Sequence, residues 1–129
     1  MTVPVIALYA PLNAFLNIYL ANRVSNSRRT NKVSVGDGDN EELLRTARAH
    51  GNNAEFVPLA ILMLLICELM GGKSLALHVM GGSLLLGRVA HAFGIHQVKA
   101  PNPARFFGTA ATWTIILAAS AYSIFLRSR

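Results

Sequence analysis

The sequence predicts an all-α membrane protein, a four-transmembrane-helix bundle forming one domain over residues 1–129. Three observations carry that prediction. Of the 129 residues, 53% are hydrophobic and only 14% charged, whereas soluble domains carry about 25% charged residues. Four apolar runs, at 3–21, 54–70, 74–95 and 106–126, each approach the roughly 20 residues that cross a bilayer core. The basic residues are unevenly distributed. Arg23, Arg28, Arg29, Lys32, Arg45 and Arg48 fall between the first two runs, and Lys99 and Arg105 between the last two. Only Lys73, Arg127 and Arg129 occupy the opposite side. This asymmetry places the polar loops 22–40 and 96–104 in the cytoplasm. It also accounts for the net charge of +6 without a nucleic-acid partner.

The first run has no basic region before it and no cleavage site after it, so it is expected to remain as a span. It contains Pro4 and Pro11, which membrane helices tolerate when neighbours satisfy the freed backbone groups. Asn13 and Asn17 share one face and are expected to bond between helices. The following segment, "NRVSNSRRTNKVSVGDGDN", reads as a loop, with "GDGDN" the strongest turn signal. Asp39 or Asn40 then caps a helix whose first turn carries Glu41 and Glu42 at its positive end. That helix is expected to run about 30 residues without a break, through "LLRTARAHGNNAEFVPLAILMLLICELM", until Gly71 and Gly72 end it.

In the third run, Gly81 and Gly82 permit close helix packing. The "HQVKAPNPAR" connection, with its two prolines, cannot continue that helix. The fourth starts near Arg105 and carries Gly108 and several alanines for close packing, with Trp113 and Tyr122 expected nearer the interfaces. Cys67 is the single cysteine and lies within the second span, so it forms no internal disulfide. No histidines stand with thiol or carboxylate partners at metal-site spacing, and no metal is expected.

Chemistry concentrates where the second helix enters the membrane. Arg45, Arg48, Asn52 and Glu55 recur at helical spacing and form one polar stripe. A charge at membrane depth costs on the order of 3 kcal/mol, so these groups must face protein, ligand or water. Two readings are open. The groups fix helix packing through hydrogen bonds, or they hold a small polar ligand, with arginine clamping carboxylates and Glu55 accepting from an ammonium. Arg88, His91 and Ile95 form a second stripe at the same end of the third helix, and Arg105 lies at a similar level. Together they suit an anionic, peptide-like molecule. His91 and His78 are individually expected to be packed and hydrogen-bonded, and His50 and His96 solvated.

"RAHGNNAEFVP", Arg48 to Pro58, resembles the second-helix signature of the MAPEG family, the membrane-associated proteins in eicosanoid and glutathione metabolism. "VGDGDNEELLRTARAHGNNAEFVPLAI" and "GGSLLLGRVAHAFGIH" are similar to that family's bacterial inner-membrane branch. The resemblance implies a left-handed four-helix bundle that assembles as a homotrimer in the inner membrane and takes glutathione as co-substrate between subunits. It assigns glutathione binding to Arg48, His50, Asn52 and Glu55, with Arg88 and His91 lining the pocket and Arg23 standing for the family's helix-one arginine. The implied reaction is conjugation or thiol-dependent reduction of a lipophilic electrophile. Arg105 is the cation expected to lower the thiol pKa, with Lys99 and Arg88 as alternatives. Phe56 and Ile95 stand where relatives commonly carry tyrosine, so two hydroxyl contacts are missing.

A non-catalytic protein that binds a lipid or other anionic metabolite in the same pocket is the competing reading. A small four-span multidrug transporter fits the length, but the first run has no membrane-embedded acid.

Overall fold

The computed structural model describes residues 2–97 and 102–128. These residues form four helices, α1 (Ile6–Asn31), α2 (Glu41–Leu69), α3 (Ser74–Ile95) and α4 (Pro103–Arg127), and no strand. The all-helical expectation is met. α2 runs unbroken through Gly51 and Pro58, and α3 has the limits of the third apolar run.

The first connection is shorter than expected. Residues 22–31 continue α1 instead of forming a loop, so the 22–40 segment is a true connection only from Lys32 onward. An α-helix satisfies its own backbone hydrogen bonds and needs no apolar residues once it leaves the hydrocarbon. Arg28 and Arg29 in its last turn also suit the negative helix end. Lys32, at φ 55°, then terminates the helix, and the Val33 N–H donates to the Arg28 carbonyl at 3.0 Å. The Asn40 side chain accepts from the Leu43 N–H at 2.9 Å, so Asn40 rather than Asp39 caps α2. At the other end of the 96–104 segment, α4 begins at Pro103, two residues before Arg105, because Asn102 caps it and proline suits a first helical position.

Two small cores are stacked along the bundle. Val5, Ile6, Ala60, Leu64, Cys67, Leu77, Leu84, Ile115 and Ala119 form the larger one. Leu20, Ala49, Ala92 and Ile95 form the smaller one, toward the end that holds the α1–α2 connection. Glycines set the spacing of the helices that enclose them. Gly81 receives the Tyr9 ring from α1, where a Cβ would lie 2.7 Å from Cγ. Gly108 packs against α3 so tightly that a Cβ would stand 2.8 Å from the His91 backbone nitrogen. The start of α1 is fastened to the end of α2, since the Val5 and Ile6 N–H groups each donate to the Glu68 carboxylate at 2.8 Å.

Among the described residues, α2, α3 and α4 are long and apolar enough to cross a membrane. α1 has the length, at 26 residues, but Asn13, Asn17, Asn22 and Arg23 dilute its apolar character. α4 turns most of its apolar surface outward, with Leu117 and Ile124 each 71% exposed, as a lipid-facing helix should. At 29 residues α2 is about 43 Å long, so it outruns a hydrocarbon core of about 30 Å by some turns.

Candidate functional site

A polar layer separates the two cores. Its centre is Arg88 on α3, which is 1% exposed and lies about 10 Å from the end of that helix, at seven residues and 1.5 Å each. Its Nε donates to Asn53 Oδ1 at 3.1 Å, one Nη to Asn52 Oδ1 at 2.9 Å and the other to Thr112 Oγ1 at 3.5 Å. Asn53 in turn donates through Nδ2 to Asn17 Oδ1 at 3.1 Å. One cation therefore joins residues from all four helices. Its partners are neutral, and Arg45 with Glu41 is the ion pair found among the described residues. Three neutral acceptors on α2 and α4 hold the guanidinium and make Arg88 a strut of the bundle.

The α2 stripe divides in two. Asn52 is half-buried and engages Arg88, whereas Arg48 and Glu55 are exposed and bond to no other described residue. Arg45 is held by Glu41 at 2.7 Å. His50 is half-buried beside them without a hydrogen-bond partner among the described residues. The chain thus presents a cation and an anion, seven residues apart and about 10 Å along the helix, on a face that no other described residue covers. Glu55 lies at the middle of α2, with fourteen residues of helix on either side.

The remaining residues implied by the resemblance are set apart from that face. His91 is 2% exposed, and its Nδ1 is buried without a partner among the described residues. Arg105 projects from the first turn of α4, where Asn102, Pro103, Phe106 and Thr109 share an open depression of about 480 Å³ with it. Arg23 turns toward α3 and bonds His96 at 3.2 Å, in a separate cavity. His96, expected to be solvated, is half-buried there. Burial lowers its pKa, and the Arg23 guanidinium beside it lowers it further. His78 does find a partner, the Tyr9 hydroxyl at 3.2 Å, although it is exposed. Lys99 lies outside the described residues.

Neither position that departs from the MAPEG pattern offers a hydroxyl. Phe56 packs against Trp113, with ring centroids 6.3 Å apart. Ile95 belongs to the smaller core. Sequence reasoning missed Asn53 and Thr112 as partners of Arg88. Asn53 sits four residues after Ala49 on the buried face of α2, and that spacing was the available signal.

Fold and polar layer together define a small helical membrane protein with a charged face on its second helix and an arginine buried in its third. The MAPEG family model matches residues 6–125, and the chain belongs to the MAPEG family. It is 36% identical over 116 residues to the inner membrane protein YecN of Escherichia coli strain K12, an alignment covering 86% of this chain and 83% of that protein. The YecN protein of E. coli O6:H1 matches to the same extent.

Proposed function

We propose that this protein is a glutathione-dependent transferase or peroxidase of the inner membrane, acting on lipophilic electrophiles that enter from the bilayer. The carrying observation is the uncovered pair on α2. Arg48 and Glu55 are exposed on a helix apolar enough to span a membrane, and neither has a partner among the described residues. Lipid cannot cover them at acceptable cost. A second copy of the chain, in a homotrimer, and a zwitterionic ligand between the copies would cover both. Glutathione has the matching groups: carboxylates for Arg48, an ammonium for Glu55 and peptide groups for Asn52.

Arg105 is exposed and lies on another helix, so it reaches this face most readily from the neighbouring subunit. A guanidinium beside the sulfur favours the thiolate. In conjugation the thiol proton leaves, and the sulfur lone pair forms the bond to the electrophilic carbon as that carbon's leaving group departs with its bonding pair or, in an activated alkene, as the π pair moves to the adjacent carbon and takes up a proton. In peroxide reduction the O–O bond is cleaved, while two glutathiones together supply the two electrons and end as the disulfide. Arg88 and His91 act behind the wall, holding Asn52 and the α3–α4 contact in place. The 22–40 and 96–104 segments are cytoplasmic in this reading, because eight of the twelve lysines and arginines fall between the first and second or between the third and fourth apolar runs.

A second reading has its own observation. Phe56 and Ile95 supply no hydroxyl to orient a sulfur, which favours a non-catalytic protein holding a lipid or other anionic metabolite in the same pocket. Turnover separates the two. Purified protein with glutathione and a panel of lipophilic electrophiles and hydroperoxides should consume thiol under the first reading. Ligand-dependent stabilisation without consumption of thiol establishes the second.

A further inference from the structure

The cavity that holds Arg23 takes in Arg45 of the α2 stripe but none of Arg48, Asn52 and Glu55. It has a volume of about 650 Å³ and lies between α1 and α3, with Glu42 and Arg45 of α2 at its mouth. That volume falls among small-molecule sites of about 300–1,000 Å³. Its lining is graded along the axes of α1 and α3. Arg23 and His96 mark one end, where His96 follows the last residue of α3; Leu16 and Val89, each seven residues back, lie about 10 Å deeper. Tyr19 and Phe93 stand between these levels and are 59% and 66% exposed.

The depth of the polar end follows from α3. Its 22 residues span about 33 Å, close to the hydrocarbon thickness of about 30 Å, so His96 lies at the boundary with the headgroups. The guanidinium bonded to it lies at the same level. Arginine carries only donors, so His96 Nε2 must accept from it and the imidazole is neutral. Arg23 therefore has no anionic partner among the described residues. Two arginines against the single Glu42 leave the lining positive, and the Arg45–Glu41 pair, with Glu41 82% exposed, offsets little of this.

We infer that this groove binds an anionic glycerophospholipid, with the phosphate on Arg23 and an acyl chain against Leu16, Tyr19, Val89 and Phe93. A phosphate at headgroup depth supplies the anion that Arg23 lacks, in the forked geometry that guanidinium favours. The apolar walls open toward the hydrocarbon and receive the chain without exposing it to water. The inference stands apart from the proposed thiol chemistry and gives Arg23 a lipid rather than glutathione.

Native mass spectrometry of the purified protein tests it, with phosphatidylglycerol, diacylglycerol of the same chains and inorganic phosphate as probes. The wild type should retain phosphatidylglycerol, and retention should fall at least tenfold in Arg23→Gln and in Val89→Trp, which fills the apolar half of the groove. Arg127→Gln, at the opposite end of the bundle, should retain the lipid as the wild type does. Equal retention of diacylglycerol overturns the role of the phosphate, and equal occupancy by inorganic phosphate overturns that of the chain. Undiminished retention by both groove variants, or displacement of the lipid by millimolar glutathione, overturns the site itself.

Discussion

Replacing Arg88 with methionine removes the charge at the centre of the polar layer while keeping most of its volume. The magnitude follows from the partners left behind. Asn53 is fully buried, so its Oδ1 loses its donor with no access to water, at about 1–3 kcal/mol. Asn52 is half-buried and can rehydrate, and the Thr112 hydroxyl keeps its bond to the Gly108 carbonyl at 2.8 Å. Single interhelical bonds in membrane bundles average about 0.6 kcal/mol. The net loss should be about 2 kcal/mol, within the range set by one orphaned acceptor and two weak bonds. The double variant Arg88→Met with Asn53→Leu should recover part of it, because the fully buried acceptor is removed with its donor, while Asn17 Oδ1, which loses the Asn53 donor, is half-buried and can rehydrate. Reversible denaturation in detergent micelles, followed by circular dichroism, measures both. An Arg88→Met protein as stable as the wild type, or a double variant less stable than the single one, refutes the strut assignment.

Three further outcomes are expected. Gly108→Ala should destabilise the fold by about 1–3 kcal/mol, since its Cβ meets the α3 backbone; Gly51→Ala has nothing within 4 Å and should stabilise it by up to about 1 kcal/mol. The same denaturation assay distinguishes them. Glu68→Gln should cost about 0.5–2 kcal/mol by weakening the anionic cap on the α1 N-terminus, and hydrogen exchange should show faster opening at Val5 and Ile6. His96 has a pKa below its ordinary 6.5 in the folded protein, so the unfolded chain takes up the proton first. Stability should therefore fall as pH drops below about 6.5, and His96→Gln should flatten that part of the profile.

Much of the architecture could be read from hydropathy, because crossing a bilayer requires runs of apolar residues. The third helix was placed residue for residue, and the unbroken second helix was anticipated through Gly51 and Pro58. The reading failed where that requirement ends. Beyond Ala21 the chain is polar, and polarity alone does not separate a loop from a helix standing in water, so 22–31 was misread. The stripe on α2 was legible as a stripe, but not its division into an inward Asn52 and outward Arg48 and Glu55, which depends on where α3 places Arg88. The Glu68 contact with α1 joins residues more than sixty positions apart, and no local pattern announces it.

The claim that the uncovered face of α2 forms a glutathione pocket is tested most directly by titrating glutathione into the purified protein while following the ultraviolet absorbance of the thiolate. The account predicts saturable binding by millimolar glutathione with a thiolate signal. It predicts loss of binding in Arg48→Ala, and retained binding with loss of the thiolate signal in Arg105→Ala. No binding at millimolar glutathione, or binding unchanged in Arg48→Ala, contradicts it.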